Sequence, residues 1–270
     1  MQGSAIVRNV LLGGLALLAT ASMMIGATVP SKKALSKTDG SAAQNETGAI
    51  FSDSVIAEMA GASAGTGSDS GKQEAKARDL YAHGVQVLLR GRAAEAERDA
   101  LKAAADGGFS DAYALAATAE LSQRKFTQAQ TMAQEALTVD ASNAKAYVIL
   151  ATADNYLGQY ADAVAALENV QAESAQWWQV LYQRARAEAG LNHIPAAVDW
   201  SNQAALQAPQ NFAPLHLLHA SALVAMTQYA QAADELETYL TLKGNAAPQR
   251  VELQRELDRL RELAGQMAKN

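Results

Sequence analysis

The histidines are the first residues to consider for chemistry, because two of the four lie three positions apart. On a helix, His216 and His219 would share one face, where paired imidazoles can hold a metal ion. No carboxylate follows them at a conventional ligand spacing, and the chain contains no cysteine. We therefore interpret both histidines as packing residues and predict no metal site.

The sequence also lacks the short motifs of common enzyme classes. It has no phosphate-binding loop, no dinucleotide fingerprint and no H-E-x-x-H pair. The absence of cysteine further excludes disulfides, thiolate metal sites, a thiol nucleophile and a lipid-modified cysteine. We predict a protein that is not an enzyme and that uses no cofactor.

Three acidic residues recur at one spacing, with Glu120, Asp154 and Glu188 each 34 positions apart. Two interpretations remain open. They satisfy a polar seam by pairing with nearby cations, or they present negative charge to a basic partner. Like charges stacked on neighbouring elements repel, so an unpaired series would cost stability. The cations available for the first interpretation are Arg184, Arg186 and Lys145.

Composition indicates what kind of scaffold carries these residues. The chain has 270 residues, of which 49% are hydrophobic and only 6% are aromatic, and alanine is abundant. Alanine favours helices and allows them to pack closely, whereas a β-sandwich would need more aromatic and β-branched residues. The net charge of −6 gives no basic surface for nucleic acid, so we expect no nucleic-acid partner.

The N-terminal segment has the pattern of an export signal. Arg8 precedes an apolar run over 10–29, and Pro30 ends the run. Small residues give two possible cleavage sites, after Ala21 and after Ala27. The alternative is an uncleaved anchor, because about 20 apolar residues span a bilayer. Either way, we predict a signal peptide or membrane anchor over 1–30 and a location in the cell envelope.

Residues 31–73 are rich in Ser, Gly, Ala and Thr, a composition that predicts a disordered linker. One apolar island interrupts this segment at 50–59. Its spacing allows a short helix with one apolar face, so the island is either part of the tether or a docking segment.

From about residue 74 onward the sequence repeats every 33 to 35 residues. The repeat is marked by an alanine at positions 96, 129, 163, 197 and 232. A second small residue lies twelve positions before each marker, at Gly84, Ala117, Ala151, Ala185 and Ala220. A further packing position lies seven residues after each marker, at Ala103, Ala136, Val170, Ala204 and Tyr239. Small residues at two such sites allow paired helices to approach closely in an antiparallel hairpin.

These residues resemble the tetratricopeptide repeat (TPR) family over roughly 74–246. The family's glycine stands at Gly91 and Gly158, and its aromatic residue is matched at Phe126, Tyr160 and Tyr229. Residues 140–143 are similar to the family's turn between repeats, without its proline, and Pro209 ends the fourth unit. The resemblance implies an all-α protein, a right-handed solenoid of about five helical hairpins over 74–245.

The helices of the five units can be placed from the same pattern. We expect them at about 75–90 and 93–105, 111–123 and 126–138, 144–157 and 160–170, 177–190 and 194–207, and 213–226 and 229–242. A last segment, 246–270, carries leucines on one face and alternating charges on the other. We interpret it as a helix capping the solenoid, with a coiled-coil dimer seam as the alternative.

In the TPR family, the first helix of each unit lines a concave groove that binds a peptide or helical segment of a protein partner. Carried onto this sequence, the resemblance implies a partner-binding groove at Arg78, Tyr81, Leu88, Thr118, Lys145, Thr152, Asn155, Tyr156, Tyr182 and Arg186. Trp177 and Trp178 lie between the third and fourth units, and spacing does not show which of them is exposed.

Signal, tether and repeats together predict a non-enzymatic interaction scaffold of the bacterial cell envelope. The architecture resembles TPR components that assist assembly of pilus or secretion machines, with Tad-type pili as the example. The alternative is a TPR factor for polysaccharide export or cell-wall assembly. That alternative requires stacked, exposed aromatic residues in the groove, for which only Tyr81, Tyr156 and Tyr182 qualify.

Overall fold

The computed structural model describes residues 69–247 and 249–268. The predicted signal or anchor over 1–30, and the linker up to residue 68 with its apolar island, lie outside the described residues. The described residues form two compact units, 69–175 and 176–268.

The unit of residues 69–175 consists of three helical hairpins. Its six helices are α1 Asp69–Leu89, α2 Ala93–Gly107, α3 Ser110–Ser122, α4 Phe126–Val139, α5 Ala144–Leu157 and α6 Tyr160–Glu168. Each helix packs against the next one in the chain, and α3 also contacts α1 and α5.

The unit of residues 176–268 consists of two hairpins and a final helix. Its elements are α7 Trp178–Gly190, α8 Ile194–Ala205, α9 Ala213–Ala225, α10 Tyr229–Lys243, a short 3₁₀ turn Gly244–Ala246, and α11 Arg250–Met267. Pro195 and Pro214 occupy the first turns of α8 and α9, where proline removes no helical hydrogen bond. The described part of the chain is therefore all-helical, as predicted.

The repeating small residues form the interior of both units, which confirms their predicted packing role. The marker alanines at 96, 129, 163, 197 and 232 are all fully buried. The positions twelve residues earlier are buried as well. At Gly84 an added Cβ would lie 3.1 Å from Leu115 Cδ2, so even an alanine there would require the Leu115 side chain to shift by a few tenths of an ångström. Close helix contact is thus the physical reason for the alanine-rich composition.

The turn inside each hairpin needs a left-handed residue. This residue is Gly91, Arg124, Gly158, Asn192 or Thr227, with φ between 60° and 77°. In every turn, the N–H of the residue that follows the left-handed one donates a hydrogen bond of 2.8 to 2.9 Å to a carbonyl oxygen in the last turn of the preceding helix. The acceptor lies five residues before the donor, as in a Schellman motif. Only two of the five turns use glycine, the residue that adopts this conformation without steric cost.

The structure also contains the predicted turn between the second and third hairpins. The side chain of Asp140 accepts hydrogen bonds from the Ser142 N–H at 2.9 Å and hydroxyl at 2.6 Å, which lower the pKa of its carboxyl. Asn143 caps α5 by accepting from the Ala146 N–H at 3.2 Å. Its amide nitrogen donates to Ser110 Oγ at 2.7 Å, so this one residue links α5 to α3.

The ends of the ten hairpin helices lie within two residues of their predicted positions, except at the start of α1. Helix α1 begins at Asp69, within the segment predicted as linker, because residues 72–76 are good helix formers that extend the first turn. Helix α6 ends at Glu168, two residues early, and is followed by the longest connection between described helices, residues 169–177. That connection contains the boundary between the two units.

Helix α11 packs on α10 through one apolar face. Leu253, Leu257 and Leu260 are buried in a cluster that includes Leu236 and Leu240 of α10. Arg261 of α11 also pairs with Glu237 of α10 at 2.8 Å. The leucine face is therefore used within the unit, as expected of a capping helix. None of the described helices combines the length and the apolar character needed to cross a bilayer.

Candidate functional site

The first helices of successive hairpins form a row within each unit. In residues 69–175 these helices are α1, α3 and α5, with α3 in contact with both others. In residues 176–268 they are α7 and α9, which also touch. The predicted partner-binding residues all lie on these first helices.

Six of the ten predicted groove residues are buried: Tyr81, Leu88, Thr118, Thr152, Asn155 and Tyr182. The Thr118 hydroxyl donates to Ala114 O at 2.9 Å, and the Thr152 hydroxyl donates to Val148 O at 2.6 Å. Both threonines thus direct their hydrogen bonds to their own helices. Four predicted residues are partly exposed: Arg78, Lys145, Tyr156 and Arg186.

Tyr81 is part of the packing between helices. Its ring meets Phe109 edge-on at 5.5 Å between centroids. Burial, and to a smaller extent the charge of Asp111, raises the pKa of its hydroxyl. Because Tyr81 and Tyr182 are both buried, the row of exposed aromatic residues required for polysaccharide binding is reduced to Tyr156.

Tyr156 supplies an aromatic surface at the end of α5. Its ring stacks on Phe126 of α4 at 4.5 Å, with only 8° between the ring planes. The guanidinium of Arg124 lies 5.8 Å from the centroid of Phe126. Lys145, also partly exposed, lies at the other end of α5. One helix therefore offers a cation and a supported aromatic ring.

In residues 176–268, three aromatic residues form a cluster beside Arg186. Tyr182 meets Phe212 edge-on at 5.0 Å, and Trp178 lies 4.7 Å from the same ring. The Arg186 guanidinium is 5.9 Å from the Tyr182 centroid. Trp177 is 36% exposed, so the structure separates the two tryptophans, with Trp178 packed and Trp177 at the surface.

The acidic series is buried, with exposures of 4% at Glu120, 2% at Asp154 and 7% at Glu188. Burial raises the pKa of Glu120 to about 7; the charge of Glu97 adds to this and that of Lys125 opposes it. Burial likewise raises the pKa of Asp154 to about 6, although a hydrogen bond of 2.6 Å from the Gln130 amide acts to lower it.

Glu188 has different surroundings from the other two acids. It accepts from Arg184 Nε at 2.9 Å, and His193 Nδ1 lies 2.9 Å from its second oxygen. The predicted pairing of the acidic series with Arg184 is therefore confirmed for Glu188. Buried side chains of this kind are not a surface for a basic partner, so the structure favours the interpretation as a polar seam.

Sequence spacing missed the partner of the two neighbouring histidines. His216 Nδ1 lies 2.7 Å from one oxygen of Glu235, and His219 Nδ1 lies 3.1 Å from the other. Burial opposes ionisation of Glu235, but the hydrogen bonds and charges of both histidines outweigh it and lower the pKa to about 2. The histidines tie α9 to α10, which agrees with the packing role predicted for them.

Comparison with known proteins gives structural likeness only. No protein-family model matches the sequence, and no curated protein is significantly similar to it. Among solved structures, the TPR protein TTC0263 of Thermus thermophilus is 17% identical with a TM-score of 0.54. The match covers 68% of this chain and 98% of the TTC0263 chain.

Two further solved structures are similar. PilF of Pseudomonas aeruginosa is 17% identical with a TM-score of 0.59, over 73% of this chain and 90% of its own. MamA of Desulfovibrio magneticus RS-1 is 18% identical with a TM-score of 0.51, and the match covers 62% of this chain and 95% of MamA. The described part of the chain therefore has the fold of the tetratricopeptide repeat proteins.

Proposed function

We propose that this protein is a non-enzymatic scaffold that binds another protein through the first helices of its hairpins. The observation that carries the proposal is that one first helix, α5, carries the partly exposed Lys145 at one end and the ring of Tyr156, stacked on Phe126, at the other. Arg78 of α1 adds a second cation to the same row in residues 69–175. A few aromatic and charged anchors of this kind are typical of grooves that hold an extended or helical segment.

These anchors also define the chemistry of the partner. The chain as a whole carries a net charge of −6, whereas two of the partly exposed positions predicted for the groove in residues 69–175, Arg78 and Lys145, are cationic. A segment with acidic side chains and one apolar or aromatic anchor would complement them. Charges of this kind mainly steer association and select partners, so binding should weaken as salt rises.

The test removes the cation and the ring together. Lys145→Ala with Tyr156→Ala should weaken binding of a partner captured by the full chain by at least about tenfold, since each anchor is worth on the order of 1 kcal/mol. Circular dichroism checks that the variant is folded. The matched control, Lys102→Ala with Leu101→Ala, removes an exposed cation and an exposed apolar side chain from the second helix α2.

The two double variants make the outcome decisive. Loss of binding in the first variant and full binding in the control would support the proposal. Unchanged binding in the first variant, or an equal loss in both, would overturn it, because the binding surface would then lie elsewhere on the protein.

We further propose that the scaffold acts in the cell envelope, in the assembly of a pilus or secretion machine. The support is the order of segments in the sequence: the apolar run 10–29, the Ser/Gly-rich tether and then the repeats. Mass spectrometry of the mature N-terminus, together with cell fractionation, tests this. A start at Ser22 or Thr28 indicates a free exported protein, and an uncut chain in the membrane fraction indicates an anchor. An uncut chain in the soluble cytoplasmic fraction would contradict the proposal.

A further inference from the structure

One group of side chains on the first hairpin plays no part in the proposed binding face. His83 of α1 lies beside Glu95 and Asp99 of α2, and one ligand atom from each falls within 4.8 Å of the other two. His83 Nδ1 is 2.7 Å from Asp99 Oδ2. We propose that these three residues bind a divalent transition-metal ion such as Zn²⁺, which would join α1 to α2.

The donor atoms match what zinc requires. Zinc takes imidazole nitrogen and carboxylate oxygen at about 2.0–2.2 Å, so that neighbouring ligand atoms in a tetrahedral site stand roughly 3.5 Å apart. The three donor atoms already lie within 4.8 Å of one another, so the proposed site requires them to move closer only by the difference between that distance and the tetrahedral spacing. The neutral imidazole then binds through Nδ1 and carries its hydrogen on Nε2, and water completes the coordination.

The helices that carry the ligands are held in position by close packing. Glu95 and Asp99 are one helical turn apart and so share a face of α2. Ala96 and Ala100, which directly follow these two acids, are fully buried. A Cβ added at Gly84, next to His83, would lie 3.5 Å from both the Ala96 carbonyl oxygen and the Asp99 Cβ. The ligands therefore project from two helices that cannot drift apart, and His83 remains open to solvent.

Two features of the site determine which ion it prefers and how tightly. The imidazole nitrogen favours zinc-class ions over Mg²⁺ and Ca²⁺, which prefer oxygen ligands. The guanidinium of Arg92 pairs with the Glu95 carboxylate, so it competes with the ion for this ligand. Removing Arg92 should consequently strengthen metal binding, an effect that a purely structural ion pair would not produce.

The molecule contains a matched comparison for this site. His193 forms the same kind of contact with Glu188, at 2.9 Å, and its side chain is 63% exposed against 57% for His83. The contact at His193 is to a single carboxylate that also binds Arg184. A histidine–carboxylate pair is thus present at both places, but the second carboxylate ligand is supplied only at His83 among the residues that the structure describes.

The experiment is calorimetric titration of the full chain with zinc chloride, with thermal unfolding as a second readout. One Zn²⁺ per chain should bind, and His83→Gln or Asp99→Asn should each weaken binding by at least tenfold, since even changes outside the ligand set cost 10–100-fold. His193→Gln should leave the affinity unchanged, and Arg92→Ala should raise it severalfold. Zinc should also raise the melting temperature of the wild type more than Mg²⁺ does.

Several results would overturn the proposal. These are no measurable zinc binding, zinc binding that survives His83→Gln and Asp99→Asn in folded protein, and equal stabilisation by Mg²⁺. The last would mean that the two carboxylates attract any divalent cation. Zinc binding lost only when His216 or His219 is replaced would place the site on α9 and would equally contradict the assignment to the first hairpin.

Discussion

The two units differ in what surrounds their buried and half-buried carboxylates. In residues 69–175, burial is the main influence on the pKa of two carboxyls, and it raises that of Glu120 to about 7 and that of Asp154 to about 6. In residues 176–268, Glu188 is held by Arg184 and His193, and Glu235 by two histidines that lower its pKa to about 2. Glu120, Asp154 and Glu188 occupy the same position of the repeat, so the residues around them, and not the position, determine their chemistry.

This contrast predicts opposite dependences of stability on pH. For Glu120 and Asp154 the folded state holds the proton more tightly, so their contribution to stability falls as pH rises from the ordinary carboxyl pKa towards 7. For Glu235 the folded state favours the charged form. Its contribution is complete above the ordinary pKa and is lost as pH falls towards about 2.

The largest effect should come from Glu235→Ala in residues 176–268. It leaves His216 and His219 without their shared acceptor, and hydrogen bonds to a charged group are worth about 1.5–3 kcal/mol when buried. Allowing for partial exposure, we expect a loss of about 2 kcal/mol in the free energy of unfolding at neutral pH. Tryptophan fluorescence during urea unfolding measures it selectively, because all three tryptophans lie in this unit.

The control for this variant is Glu237→Ala, which breaks the surface pair with Arg261 and should cost less than about 1 kcal/mol. If the two variants lose the same free energy, the histidine-bound carboxylate contributes no more than a surface ion pair, and the contrast between the units fails.

A smaller effect of opposite sign is expected from Glu120→Gln in residues 69–175. The neutral amide removes the cost of ionising a buried carboxyl, so stability should rise by about 1 kcal/mol near pH 8. The gain should shrink as pH falls towards 5, where the folded wild type is already protonated. Thermal unfolding followed by circular dichroism at both pH values measures it, and a gain that is equal at both would contradict the raised pKa.

The hairpin turns give the smallest contrast. Residues 69–175 use Gly91 and Gly158 at two of three left-handed positions, whereas residues 176–268 use Asn192 and Thr227. Thr227→Gly should stabilise by about 0.5 kcal/mol, because a β-branched residue is strained at positive φ. Gly158→Ala should destabilise by about 1 kcal/mol for the same reason. Urea midpoints measure both, and a loss on Thr227→Gly would show that the threonine is not strained.

Much of the fold could be predicted from the sequence, because the spacing of small residues is set directly by helix packing. The alanines at 96, 129, 163, 197 and 232 were predicted as close-packing positions, and all are fully buried. The family resemblance identified the turn glycine at Gly91 and Gly158, and both residues are left-handed in the structure. Arg124 and Thr227 adopt the same conformation because the two helices they join are already fixed by the core.

The candidate site was less predictable. The register of the TPR family identified the first helices, but it did not distinguish buried Tyr182 from partly exposed Tyr156, which depends on what each neighbouring helix supplies. Spacing along the chain also missed Glu235 beside His216 and Asp99 beside His83. The second of these pairs is separated by 16 residues and is brought together only by the packing of two helices.

The most direct test of the central claim, that the first helices bind a protein partner, is site-specific photo-crosslinking in cells. A photoreactive amino acid replaces Lys145 on the first helix α5 in one variant and Lys102 on the second helix α2 in the other. We predict a discrete crosslinked partner from position 145 and none from position 102. Crosslinking from position 102 alone, or equally from both, would contradict the assignment of the binding face.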